Sequence, residues 1–99
     1  MSNERYIEQK LCCTVKTLGG KAFKWIAPGH TGVPDRIVIL PKGRILFVEL
    51  KRSGRKDGTS ARQKKVIDWL VKMGCAVFVI SEVDDIQRML GEVYGVQAL

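Results

Sequence analysis

Two mostly apolar, β-branched runs, Arg36 to Leu40 and Arg44 to Lys51, are separated only by Pro41-Lys42-Gly43. Apolar runs of this length around a short Pro/Gly turn read as two strands of an antiparallel hairpin. Once the hairpin forms, the segment entering the first strand lies beside the segment leaving the second. Asp35, at the entry, is thereby brought back beside Glu49 and Lys51, at the exit. Side chains alternate across a strand, so Glu49 and Lys51 share a face.

The flanking chain supplies elements to pack on this hairpin. Residues 4 to 18 carry Ile7, Leu11, Val15 and Leu18 at helical spacing, and Gly19-Gly20 ends the helix. Ala22 to Ala27 reads as a strand, and Pro28 to Pro34 as a loop. After a polar stretch from 52 to 59, Ser60-Ala61-Arg62-Gln63 has the form of a capping box. The helix it opens has Val66, Ile67, Leu70 and Val71 on one face and stops at Gly74. Ala76 to Ile80 reads as a buried strand, and Ser81 as the cap of a last short helix through Val83, Ile86 and Leu90. The order is α-β-β-β-α-β-α. Strand, crossover helix and strand make a right-handed parallel unit beside the hairpin. The expected fold is α/β, a mixed four-stranded sheet with helices packed on it, in one domain spanning 1–99.

Composition narrows the class. At 45% hydrophobic and 27% charged, the chain has the makings of a folded protein. It contains no apolar run of the length that suggests a membrane span, and its polar first ten residues do not read as a secretory signal; the expected setting is cytoplasmic. Cys12, Cys13 and Cys75 are odd in number and wrongly spaced for a zinc site, so they are expected as small buried apolar residues. The net charge is +7, and residues 51–65 alone carry +6 of it. Such a concentrated basic patch is the footprint of a partner with a phosphate backbone.

Asp35, Glu49 and Lys51 give this patch a chemistry. The two carboxylates offer hard oxygen ligands suited to Mg²⁺ or Mn²⁺, with a backbone carbonyl near Leu50 as a further ligand. Such an ion acidifies bound water and screens charge developing on a phosphate. Lys51 is placed to orient the attacking water or stabilise the pentacovalent phosphate. Phosphodiester hydrolysis needs only this positioning and charge. A Glu-x-Lys pair also arises as an ordinary surface ion pair, but the apolar neighbours Phe47, Val48 and Leu50 make that less comfortable here.

Gly32-Val33-Pro34-Asp35 followed by Val48-Glu49-Leu50-Lys51 resembles the signature of PD-(D/E)XK nucleases, and most closely their VRR-NUC branch. The resemblance extends over nearly the whole chain, from the first helix with Glu8, through Gly19-Gly20 and the two strands, to Ser60-x-x-Gln63. It implies a restriction-endonuclease-like core and a metal-dependent DNA endonuclease. Asp35 and Glu49 would be metal ligands, Lys51 the catalytic lysine, and Gln63 a site residue as well as a helix cap. Glu8, borne on the first helix, would be an additional metal ligand, with Glu4 competing for that place. Small stand-alone members resemble Holliday junction resolvases, which implies a homodimer acting on branched DNA, with no small-molecule cofactor.

Around this centre, Arg52, Arg55, Lys56, Arg62, Lys64 and Lys65 are expected to grip the DNA backbone without reading sequence. Arg36 should point away from the Asp35 face, as a DNA contact or dimer support. His30 reads as a surface-loop residue, and Trp25 and Trp69 as core or interface residues. The basic patch alone fits a non-catalytic nucleic-acid-binding module equally well, and the same fold also suits cutting of duplex DNA or RNA.

Overall fold

The computed structural model describes residues 3–51 and 59–95. Helix α1 spans Glu4–Thr17, followed by strands β1 (Lys21–Lys24), β2 (Arg36–Leu40) and β3 (Arg44–Leu50), helix α2 (Ala61–Lys72), strand β4 (Ala76–Ile80) and helix α3 (Val83–Tyr94). The strands form one sheet in the order β1-β2-β3-β4. The first two pairings are antiparallel, and β3 with β4 is parallel. The mixed sheet and the element order are those expected from the sequence.

Alternation sorts the hairpin into two faces. Val38, Leu40, Leu46, Val48, Leu50 and Ile80 turn inward and are at most 3% exposed. Against them α1 lays Ile7, Leu11 and Val15, while α3 adds Ile86, Met89 and Leu90. Each such aliphatic side chain contributes roughly 1.5–3 kcal/mol when fully buried. The α1 stripe repeats every four residues, so Cys13 falls off it and is exposed, contrary to the expectation of a buried thiol. Leu18 also falls outside: it caps the helix instead of continuing it and is 39% exposed. Among the described residues no helix is long and apolar enough to cross a membrane.

The opposite face is covered only in part, by α2. Phe23, Ile39 and Ile45 lie on that face by the pairing register and remain 41–52% exposed. Lys21 places its ammonium 4.9 Å from the centre of the Phe23 ring, a partial cover by a long side chain.

Other boundaries also differ from the sequence reading. Strand β1 stops at Lys24, and the pairing reaches one residue further only through the Trp25 N–H, which donates to the carbonyl of Asp35, its partner in the same register. Helix α3 begins after Glu82, one residue later than a Ser81 cap would place it. Asp85 reaches back, its Oδ2 accepting from the N–H groups of both Ser81 and Glu82. The same helix runs through Gly91 to Tyr94, since its apolar face continues through Leu90 and Val93.

Candidate active site

The hairpin does what its turn implied. Lys42 and Gly43 both take positive φ, and the chain reverses within three residues. With Arg36 opposite Val48, the next pair outward sets Asp35 opposite Glu49. The Asp35 carboxylate is fixed there by the backbone: its Oδ2 accepts from the Leu50 N–H at 2.7 Å. Lys51 in turn donates its own N–H to the Ile80 carbonyl, which pins the strand exit to β4. Both anchors are donated by main-chain N–H groups, which carry no residue signature.

Glu49 is 2% exposed, an uncommon position for a carboxylate. Its Oε2 meets the Lys51 ammonium at 2.9 Å and also accepts from the Gln63 amide. Gln63 Oε1 accepts from Lys51 Nζ at 2.9 Å and from the Ser60 N–H at 3.2 Å. Ser60 Oγ accepts the Gln63 N–H to close the capping box. One glutamine thus starts α2 and ties that helix to both catalytic candidates on β3. The capping role read from the sequence is seen, and the same side chain contacts Glu49 and Lys51.

Glu49 Oε1 is buried without a hydrogen-bond partner. A lone buried carboxylate oxygen is costly unless a proton or cation meets it. Burial is the largest influence on this group and raises its pKa. The Lys51 hydrogen bond opposes, the Asp35 charge and hydrogen bond raise it again, and the net effect lifts Glu49 from 4.5 to about 7. A buried acid shifted in this way beside a specific charged partner is a functional-site candidate.

No family model matches the chain. Over 53 residues it is 51% identical to "Putative nuclease p44" of Acyrthosiphon pisum secondary endosymbiont phage 1. That match takes in 54% of this chain and 57% of the phage protein, so the chain spans little more than half of that relative. A solved structure described as a VRR_NUC domain superimposes with a TM-score of 0.84 at 28% identity, covering 91% of this chain and 96% of its own. The chain has the fold of the VRR-NUC family.

Within this VRR-NUC fold, Asp35, Glu49, Lys51 and Gln63 come together, and Glu8 does not join them. Glu8 sits on α1, across the sheet from Glu49, and its Oε2 is held by the Arg36 guanidinium at 3.1 Å. Arg36 donates further to the Ala22 carbonyl and is only 18% exposed. It faces away from Asp35 as expected, but as an internal clamp between α1 and the sheet, not as a free DNA contact. Glu4 is exposed in the first turn of α1. Among the described residues no group of three or more His, Cys, Asp or Glu side chains is gathered for a metal. Sites for Mg²⁺ commonly use only one or two carboxylates and retain several waters, so the Asp35–Glu49 pair meets that lower requirement. Leu50 contributes its N–H to Asp35, and its side chain lies in the core.

Of the cations expected to grip a DNA backbone, Arg62, Lys64 and Lys65 are exposed along the first turns of α2. Arg52, Arg55 and Lys56 lie outside the described residues. Arg62 also donates to Thr31 Oγ1, which ties the loop before Asp35 to α2. Gly32 makes that contact possible. Its φ is +90°, and a Cβ there would sit 2.9 Å from the Arg62 carbonyl oxygen. Gly32→Ala is therefore expected to cost about 1–3 kcal/mol, from backbone strain and displacement of the loop from α2. The urea midpoint of the variant checks this; an unchanged midpoint would show that the loop and helix are not locked at Gly32.

Proposed function

We propose that this chain is a metal-dependent endonuclease that hydrolyses phosphodiester bonds in branched DNA, such as four-way (Holliday) junctions. The carrying observation is the Asp35–Glu49–Lys51–Gln63 group, in which Glu49 is buried with one carboxylate oxygen unsatisfied. The names of the phage relative and of the matching fold, a nuclease and a VRR_NUC domain, support the same reading.

A buried carboxylate oxygen with no donor, beside a second carboxylate, suits a hard divalent cation such as Mg²⁺ or Mn²⁺. Asp35 and Glu49 would hold it, with the Leu50 carbonyl as a further ligand. When bound, the ion supplies Lewis-acid charge at the phosphate and lowers the pKa of water. The Leu50 N–H fixes the orientation of the Asp35 carboxylate. Gln63 fixes the Lys51 ammonium, which is 13% exposed and so aimed by the protein more than by solvent. That ammonium lies where it stabilises negative charge building on the phosphate oxygens. Lys64, Lys65 and the rest of the basic segment hold the flanking backbone.

The proposal includes a homodimer. Phe23, Ile39 and Ile45 leave one half of a sheet face apolar and open, and a chain of 99 residues buries only a modest core alone. A two-fold protein also matches a two-fold junction. The setting proposed is the cytoplasm, where DNA and millimolar Mg²⁺ are both present.

The test is cleavage of a labelled four-way junction and of a linear duplex of the same arm sequence, in Mn²⁺, in Mg²⁺ and in EDTA. Cutting confined to the junction and abolished by EDTA is expected. Equal cutting of the duplex would discard junction selectivity. Tight binding without cutting in either metal would favour a binding module.

A further inference from the structure

A groove of about 470 Å³ opens between the loop before Asp35 and α2. Trp25 and Trp69 line it, with Val33 and Val66 in its wall and His30 and Lys65 among its lining residues. Its volume falls in the range of roughly 300–1,000 Å³ typical of ligand sites. The sequence reading placed both tryptophans in the core or an interface. The structure leaves Trp69 58% exposed, and only Trp25 is backed by another ring, that of Phe47 at 5.2 Å.

We propose that this groove takes an unpaired nucleobase of the DNA strand held at the active site. Three observations select that occupant. The wall is apolar and carries two indoles, the surface on which bases of any sequence stack. Lys65 lines it, His30 sits at the loop side, and no Asp or Glu lines it; Asp68, exposed on the same helix, lies outside. The groove is also coupled to the catalytic residues by short covalent paths. Val33 lies two residues before Asp35, and Val66 lies three after Gln63, about one helical turn. A base seated here leaves its phosphate beside the cationic face of α2, close to the scissile position. A second copy of this chain fits less well, since it would bring a net charge of +7 to a groove whose lining already carries Lys65.

The inference rests on the nuclease reading for its substrate, but its test does not depend on cutting. In EDTA, wild-type chain is titrated with an oligo-dT strand and with an abasic strand of equal length and charge. The base-bearing strand is expected to quench tryptophan emission and to bind roughly tenfold more tightly, within the range measured for stacking of one base. In the W25F variant, the quench should persist on Trp69 alone. W69A should bind both strands equally, while W69F should keep the preference. Equal binding and equal quench of the two strands by the wild-type chain would overturn the proposal. So would conversion of a dimer to a monomer by W69A, seen by sedimentation, with the base preference intact; the groove would then be a contact between copies. Wild-type cutting of a four-way junction in Mg²⁺ is scored separately. Base preference without cutting sinks the nuclease reading alone, and cutting without base preference sinks the groove alone.

Discussion

Lys51→Ala should abolish cutting while leaving DNA affinity within a few-fold of the wild-type value. The ammonium is held at 2.9 Å by both Glu49 and Gln63, so its charge is aimed before substrate arrives. Charge fixed in advance acts on the transition state without reorganisation, and removing one such group costs a factor of roughly 10²–10³ in turnover. Affinity is governed by different residues. The segment from 51 to 65 keeps a net charge of +5 after Lys51 is lost, and Lys64 and Lys65 remain exposed on α2. The fold should also survive. Without Lys51 the buried Glu49 loses the partner that holds its pKa down, and it takes up a proton instead of staying as an unpaired buried charge. The check is a pair of measurements on one preparation: junction binding in EDTA, and cleavage rate in Mn²⁺ at saturating enzyme. Turnover within tenfold of wild type would remove Lys51 from the chemistry. Parallel loss of binding and cutting would make it a backbone contact. Asp35→Ala gives a matched control, because its main-chain anchor at Leu50 shows that it too is positioned in advance.

The parts legible in the sequence were those written in local pattern. The hairpin was readable because two β-branched runs meet at Pro41-Lys42-Gly43, and period-two alternation then placed Glu49 and Lys51 on one face. The start of α2 was readable because Ser60 and Gln63 have capping spacing. What stayed hidden depends on contacts between segments far apart in the chain. Glu8 looked available from the edge of a helical stripe, but its fate is set by Arg36, 28 residues away. The Leu50 N–H that orients Asp35 belongs to the main chain and has no residue signature. The exposure of Trp69 follows from how α2 sits on the sheet. Leu70 is the buried position, and its neighbour in sequence is rotated by about 100° towards the groove. Helical spacing did place Val66, Ile67 and Leu70 on one side, but it left open how much of that side the sheet would cover.

Glu49→Gln should stabilise the metal-free protein above neutral pH while destroying its activity. The sign follows from where the proton resides. Between pH 4.5 and about 7 the folded chain holds a proton on Glu49 that the unfolded chain has released. Folding is therefore coupled to proton uptake, and stability falls as pH rises through this window. The full contribution is present below 4.5 and is lost once the pH passes about 7. A rise of this size corresponds to at most roughly 3 kcal/mol, since each pKa unit is worth about 1.4 kcal/mol. Glutamine keeps the shape and cannot ionise. Urea unfolding in EDTA should show wild type and variant nearly equal at pH 4.5. By pH 8 the variant should be more stable, by on the order of 2–3 kcal/mol, with the difference opening between. Taking the difference cancels titrating groups away from the site. Added Mg²⁺ should then reverse the ranking for the wild type alone, since a ligand that binds only the folded state stabilises it in proportion to its saturation. A wild-type stability that stays flat from pH 5 to 8, or a variant that is weaker at pH 8, would show that Glu49 is already satisfied as a carboxylate. A burdened Glu49 instead means that the fold gives up stability to keep one carboxylate oxygen free for a cation, as expected where activity and stability compete for the same residue.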